Sequence, residues 1–123
     1  VRKLPGLIPS QLGQLTLMMI GFDFQDNYFS GPVPSQLGRL SVLREDFYLD
    51  KNHFTGQIPS ELGQWTALTE TFHLDSNRLS GQIPSQLGSL TSLSRSFNLD
   101  TNKLSGTIPT ELGRLSLMKE DFF

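Results

Sequence analysis

Residues 54–77 read FTGQIPSELGQWTALTETFHLDSN. Phe72-His73-Leu74 alternates apolar, polar and apolar, which predicts a short strand with one buried face. Asn77 closes that strand. Gly56, Pro59 and Gly63 prevent any long helix. Between them, Ser60 to Leu68 has room for one short helical or 3₁₀ turn, with Ser60 as its cap. One strand plus one short helical piece describes a single turn of a coil.

The same unit recurs along the whole chain with a period of 25. Gly6, Gly31, Gly56, Gly81 and Gly106 keep that step, as do Pro9, Pro34, Pro59, Pro84 and Pro109. Gly13, Gly38, Gly63, Gly88 and Gly113 follow it, and so do Asn27, Asn52, Asn77 and Asn102. The chain of 123 residues is therefore about five turns of one unit. Residues 1–123 form a single domain, with nothing left over for a second.

Composition narrows the function classes. The formal charge is −2 and the isoelectric point near 5.6, whereas a nucleic-acid protein normally shows a basic face. There is no cysteine, which excludes disulfides, thiolate metal sites and a cysteine nucleophile. No apolar run approaches the ~18 residues of a transmembrane helix.

The pattern Leu79-x-Gly81-x-Ile83-Pro84-x-x-Leu87-Gly88-x-Leu90, repeated from Leu104 to Leu115, resembles the plant-specific class of leucine-rich repeats. The resemblance covers essentially the whole chain. It implies an α/β-type solenoid: a right-handed curved coil with short parallel strands on the concave face and 3₁₀ turns on the convex face. In that class the Ile-Pro segment tends to add a second short strand beside the first. One departure is regular. The usual unit has 24 residues, with two positions between its second and third leucines; here the run is Leu40-x-x-Leu43-x-x-x-Phe47-x-Leu49-x-x-Asn52. One residue is inserted, and the first strand position is Phe in every copy: Phe22, Phe47, Phe72, Phe97 and Phe122. This is similar to a variant found in repeat proteins of microalgae. A physical reading is that the extra residue bulges the backbone outward and the longer Phe refills the interior as a stacked ladder.

Each column then has an expected role. Leu12, Leu37, Leu62, Leu87 and Leu112 are core. So are Leu15, Leu40, Trp65, Leu90 and Leu115, then Met18, Leu43, Leu68, Leu93 and Met118, and Ile8, Val33, Ile58, Ile83 and Ile108. The Asn ladder (Asn27, Asn52, Asn77, Asn102) is polar yet structural in the family, where its amide bonds turn and neighbouring-coil backbone. In Gly-x-Ile-Pro the Gly provides a bend and the Pro blocks further pairing.

Function in a solenoid lies where exposed columns vary. Strand alternation points Asp23, Tyr48, His73, Asn98 and Phe123 outward. The next outward column is Gln25, Asp50, Asp75 and Asp100, and before the strand stand Gly21, Asp46, Thr71, Ser96 and Asp121. The expected partner-binding face is thus Asp23, Gln25, Tyr48, Asp50, His73, Asp75, Asn98 and Asp100. The Asp column reads as a solvated acidic face. A docking strip for a basic segment and a weak Ca²⁺ site are the sharper readings, although no loop supplies Ca²⁺ with its remaining oxygens.

Catalytic chemistry is not expected. The glycines are spaced for turns, not as a phosphate loop. His53 and His73 stand in different columns, and a lone surface histidine beside a carboxylate is common. Ser10, Ser35, Ser60 and Ser85 are too regular to be nucleophiles. No cofactor and no metal are expected.

The chain starts at Leu4-Pro5-Gly6 inside a turn and stops mid-strand at Asp121-Phe122-Phe123, without the cysteine-bearing caps usual in the family. The expectation is a segment of a longer chain, or a subunit whose ends neighbours cover. The resemblance implies an extracytoplasmic place: secreted, cell surface or organellar lumen. The expected function is a non-enzymatic scaffold or accessory subunit of a larger complex, with protein partners, no nucleic acid and no membrane span in this segment. The alternative is a secreted or receptor-ectodomain module for a peptide or polysaccharide. An ice- or mineral-binding surface would need a flat, regular Thr or Asp array, which the mixed central column does not provide.

Overall fold

The computed structural model describes residues 2–120 and 122–123. In chain order the elements are β1 (Pro5–Gly6), η1 (Ser10–Gln14), β2 (Phe22–Asp23), β3 (Tyr28–Pro32), η2 (Ser35–Arg39), β4 (Asp46–Tyr48) and β5 (His53–Gly56). Then come η3 (Ser60–Gln64), β6 (Thr71–His73), β7 (Arg78–Gly81), η4 (Ser85–Ser89), β8 (Ser96–Asn98), β9 (Lys103–Leu104) and η5 (Thr110–Arg114). Every helical piece among the described residues is a 3₁₀ helix. The chain is a solenoid with two parallel sheets, ordered β2-β4-β6-β8 and β1-β3-β5-β7-β9.

The 3₁₀ pieces follow from an apolar period of three. Leu62 N–H donates to Pro59 O, Trp65 N–H to Leu62 O and Leu68 N–H to Trp65 O, at 3.2, 3.3 and 3.0 Å. A 3₁₀ helix has 3.0 residues per turn, so residues three apart eclipse on one edge. That edge carries Leu62, Trp65 and Leu68, all fully buried. The proline sets the start. Pro59 holds φ −64° and ψ 128°, extended geometry from which the helix departs. Ser60 does not cap it, contrary to the expectation from sequence: it is the first helical residue and no side chain caps this end.

The glycine column between the leucines does more than interrupt helix. The five-residue helices of successive turns stack backbone on backbone. A Cβ on Gly13, Gly38, Gly63 or Gly88 would lie 2.2 to 2.5 Å from a carbonyl oxygen of the next turn.

The concave sheet pairs residues 25 apart: Phe22↔Phe47↔Phe72↔Phe97, with a bridge from Phe97 to Phe122. In the first four of these the rings are buried, and successive centroids lie 5.2 to 5.6 Å apart. Trp65 wedges edge-on against Phe47 at 4.6 Å and donates its indole N–H to Leu37 O at 3.0 Å. The inserted residue has a local signature. Glu70 and Thr71 N–H both point at Glu45 O, and Arg95 and Ser96 N–H both point at Glu70 O. Two N–H groups converge on one carbonyl there, while the register stays 25 because every turn carries the same insertion.

The second sheet has another register. Its pairs are 23 apart, as in Ser30↔His53, Thr55↔Arg78 and Ser80↔Lys103. Equivalent positions therefore slip two residues per turn, roughly 6.6 Å at ~3.3 Å per residue. An even slip keeps every side chain on its own face. Strands β3, β5 and β7 end at the glycines of positive φ (Gly31, Gly56, Gly81) or one residue beyond. They precede the Ile-Pro segment rather than form on it, because the glycine bend and the proline end the pairing.

The Asn ladder ties both sheets together. Asn77 Oδ1 accepts from Phe54 N–H at 3.0 Å, and its amide donates to Leu49, Leu74 and Asp75 carbonyls at 3.0 to 3.1 Å. Asn52 and Asn102 repeat this set. Asn27 accepts from Leu4 N–H and donates to Phe24 and Gln25 carbonyls. The core columns do not stay buried at the ends. Leu15 and Ile108 are exposed, and Leu17, Met19, Ile20, Leu117, Phe122 and Phe123 are exposed beside them.

Candidate functional site

The middle residues of the concave strands do not stand free. Tyr48 and His73 lean one turn onward. Tyr48 Oη lies 3.3 Å from Asp46 Oδ1 and 3.3 Å from Thr71 Oγ1. His73 Nε2 lies 2.7 Å from Ser96 Oγ. The Tyr48 and His73 rings meet edge to face at 5.4 Å. Beneath these rings Thr71 and Ser96 are buried and Asp46 is half-buried. The pre-strand column therefore supports the surface instead of forming it. Asp121 of that column lies outside the described residues.

Tyr48, His73 and Asn98 are half-buried, and Asp23 and Gln25 are exposed at one edge. Gln25 is held by Asp23 through its own N–H and its amide. Asn98 Oδ1 accepts from Asp100 N–H at 2.9 Å. Burial pushes the Tyr48 phenol above the ordinary tyrosine range. The Asp46 charge adds to that shift, while the Thr71 hydroxyl and the more distant Arg95 charge oppose it.

The Asp column departs most from the expected solvated acidic face. Asp100 is exposed, but Asp50 and Asp75 are only 3% and 8% exposed. Turns on both sides cover these two, and the ring of His73 stands over them. Asp50 Oδ1 is buried without a hydrogen-bond partner. Its Oδ2 has Lys51 Nζ at 3.8 Å, and Asp75 Oδ2 accepts from Ser76 Oγ at 3.1 Å. Burial raises the Asp50 carboxyl pKa, and the Asp75 charge raises it further, against the pull of its own backbone N–H first and of His73 and Lys51 after it.

His73 belongs with these carboxylates. Its Nδ1 lies 3.9 Å from Asp75 Oδ1, and one donor atom from each of Asp50, His73 and Asp75 falls within 4.8 Å of the others. The sequence carried a signal for this grouping: His73 and Asp75 are two apart on a strand and share a face, and Asp50 is one period from Asp75. The supporting hydroxyls had a signal too, since Tyr48 and His73 each find an OH-bearing residue 23 positions on.

A groove of about 850 Å³ runs elsewhere, along Gln57, Ser60, Gln82 and Ser85. Its lining is the scaffold's own repeated turn, so the varied, hydrogen-bonded concave strip is the candidate site.

Comparison with known proteins places this geometry. A family model described as Leucine Rich Repeat matches residues 69–90 and 95–115. The Arabidopsis receptor kinase HAESA, solved with the peptide hormone IDA and the co-receptor SERK1, superposes with a TM-score of 0.87 at 34% identity. That match covers 97% of this chain and 20% of the other. The BIR3–SERK2 complex from Arabidopsis thaliana gives 0.77 at 39% identity, over 91% of this chain and 58% of that one. A plant ice-binding protein gives 0.82 at 32% identity, over 92% and 36%. The chain thus spans between about a fifth and three-fifths of these structures. No curated protein matches the sequence.

Proposed function

Because the chain is a leucine-rich repeat protein, we propose that it is a non-enzymatic interaction module, a scaffold or accessory subunit that binds a protein partner through its concave face and exposed ends. The observation that carries this is the strip Tyr48, His73 and Asn98. These half-buried polar and aromatic groups are already held by hydrogen bonds, over a backing of stacked Phe rings. Preorganised side chains lose little freedom on binding, so more of their contact energy becomes affinity. Tyr and His also offer large contact area with a polar end.

The receptor and co-receptor complexes among the similar structures support a protein partner and an extracytoplasmic setting. A second reading, recognition of a peptide ligand, is favoured by HAESA, which is solved with a peptide hormone. The similarity to a plant ice-binding protein does not lead to an ice-binding reading, because the central column Asp23, Tyr48, His73, Asn98, Phe123 offers no regular array.

A photo-crosslinking amino acid placed at Tyr48, at Asn98, or at exposed Gln64 on the 3₁₀ side tests the proposal in extracts of the source. Capture of the same protein from positions 48 and 98 but not from 64 is expected. Equal capture from all three positions, or capture from 64 alone, would overturn a concave binding face. A short peptide captured in place of a folded protein would favour the second reading.

A further inference from the structure

We propose that Asp50, His73 and Asp75 form a binding site for a divalent transition-metal ion of the Zn²⁺ class on the concave face. The three side chains come from two adjacent turns and bring one donor atom each within 4.8 Å of one another. The independent pointer is Asp50. Its side chain is 5% exposed, and its Oδ1 is buried with no partner. Leaving a carboxylate oxygen buried and unpaired is costly, and the cost is relieved when a cation sits there. The Lys51 ammonium does not fill that role. It lies 3.8 Å from the other oxygen, Oδ2, on a side chain that is 61% exposed.

His73 is oriented for the task. Its Nε2 is engaged by Ser96 Oγ at 2.7 Å, and its Nδ1 faces Asp75 Oδ1 at 3.9 Å. That separation is too long for a hydrogen bond. It is shorter than twice a metal–ligand bond of about 2.1 Å, so one ion can touch both atoms. In the tautomer whose Nε2–H donates to Ser96, Nδ1 carries a lone pair facing the Asp75 carboxylate, and a donor atom of Asp50 lies within 4.8 Å of the group, an arrangement that calls for positive charge between them. A second partner fixing the far ring nitrogen is the usual support of a ligating histidine. Tetrahedral ligands about 2.1 Å from one ion lie about 3.4 Å apart, so donors as much as 4.8 Å apart must draw together through side-chain rotation by up to about 1.4 Å when the ion binds.

The donor set selects the ion. One imidazole nitrogen and two carboxylates suit Zn²⁺ and its first-row neighbours, while Ca²⁺ wants six to eight oxygens and Mg²⁺ an oxygen octahedron. Two carboxylates and a neutral imidazole carry a charge of −2, which the ion cancels. Three protein ligands leave one coordination position open. With the His73 and Asp75 side chains 24% and 12% exposed, that position opens to the concave surface and gives the ion its entry.

Titration calorimetry of the chain with ZnCl₂, and separately with CaCl₂, tests the site. One equivalent of zinc should bind, with calcium at least ~10-fold weaker. Asp50→Asn and His73→Gln should each abolish saturable binding, and His53→Gln should leave it intact. Ser96→Ala, which removes only the support of the ring, should weaken zinc binding about 10-fold. Variants that lose their fold by circular dichroism are set aside in favour of ¹⁵N NMR on the unaltered protein. There zinc should shift the His73 Nδ1 resonance and spare both nitrogens of His53. Absence of saturable zinc binding, binding unchanged in His73→Gln, or a His73 resonance indifferent to zinc would each overturn the proposal.

Discussion

A Cβ at Gly63 would lie 2.3 Å from the carbonyl oxygen of Gln86 in the next turn. The obstructing atom is backbone, so no side-chain rotation relieves the clash. Gly63→Ala is expected to destabilise the chain by ~1–3 kcal/mol through overpacking, read as a lower urea midpoint. Gly113 has nothing within 4 Å in the same direction, and Gly113→Ala in the chain of residues 1–123 should stay within about 0.5 kcal/mol. Equal losses at the two positions would refute the stacking argument.

The second prediction concerns the inserted residue and the ring that follows it. Glu70 and Thr71 share the Glu45 carbonyl, and Phe72 fills the interior beside them without exposure. Phe72→Ala should cost ~3–5 kcal/mol. Deleting Glu70 should destabilise alone, and so should Phe72→Leu. Combined, they restore the 24-residue spacing and a shorter core side chain. The double variant is expected to lose less than the sum of the two single losses, a coupling that a double-mutant cycle measures. Simple additivity would mean that insertion and ring are unrelated.

The period of 25 made the coil, its core columns and its concave strands readable, because one buried side per column repeats at every turn. It hid what depends on the contact between turns. Gly63 reads as a helix breaker on its own line of sequence; only the stacked Gln86 backbone shows why a side chain is excluded. The second sheet pairs residues 23 apart, a register set by the Asn77 grip on Phe54 rather than by the repeat. Asp50 and Asp100 share a column and look alike in sequence. Asp50 is covered from both sides and Asp100 from one, so one is buried and the other exposed. Alternation along a strand reports which face a residue takes, and is silent on what closes over that face.

The residue before each ladder Asn sits in the left-handed region: Asp26, Lys51, Ser76 and Thr101, with φ between 50° and 55°. A β-branched residue is the least suited to it. Thr101→Asn should stabilise the chain by about 1 kcal/mol, since left-handed geometry costs L-residues roughly that much. The Thr101 hydroxyl contact with Asp100 is exposed and is a small loss. A thermal melt that shows no gain, or a loss, would count against strain at this position.

Tyr48 makes the protein sensitive to alkali. Its phenol holds its proton more tightly in the folded state, chiefly through burial. Its contribution is therefore fully present below the unfolded value near ~10 and is lost as pH rises through the folded value. Denaturation midpoints should fall between neutral and strongly alkaline pH more steeply for the native chain than for Tyr48→Phe. Tyrosine absorbance in a Tyr28→Phe background should show Tyr48 ionising above the ordinary range. Identical pH profiles for native and Tyr48→Phe chains would contradict the raised phenol pKa that burial produces.

Asn77 is the point where the two sheets and two turns meet. Its Oδ1 takes the Phe54 N–H, and its amide serves the Leu49 carbonyl of the previous turn and the Leu74 and Asp75 carbonyls of its own. Replacing it with alanine leaves these buried backbone groups unpaired, at about 1–3 kcal/mol for each group that water cannot reach. Asn77→Ala should therefore lose about 2–4 kcal/mol. Asn77→Leu should do no better, because added apolar volume satisfies no backbone group. Asn27→Ala is expected to cost less, since Asn27 is only half-buried and its amide bonds carbonyls of its own turn alone. Chemical denaturation of the three variants decides it. Recovery of stability in Asn77→Leu would show that the ladder acts by filling space and not by pairing the backbone.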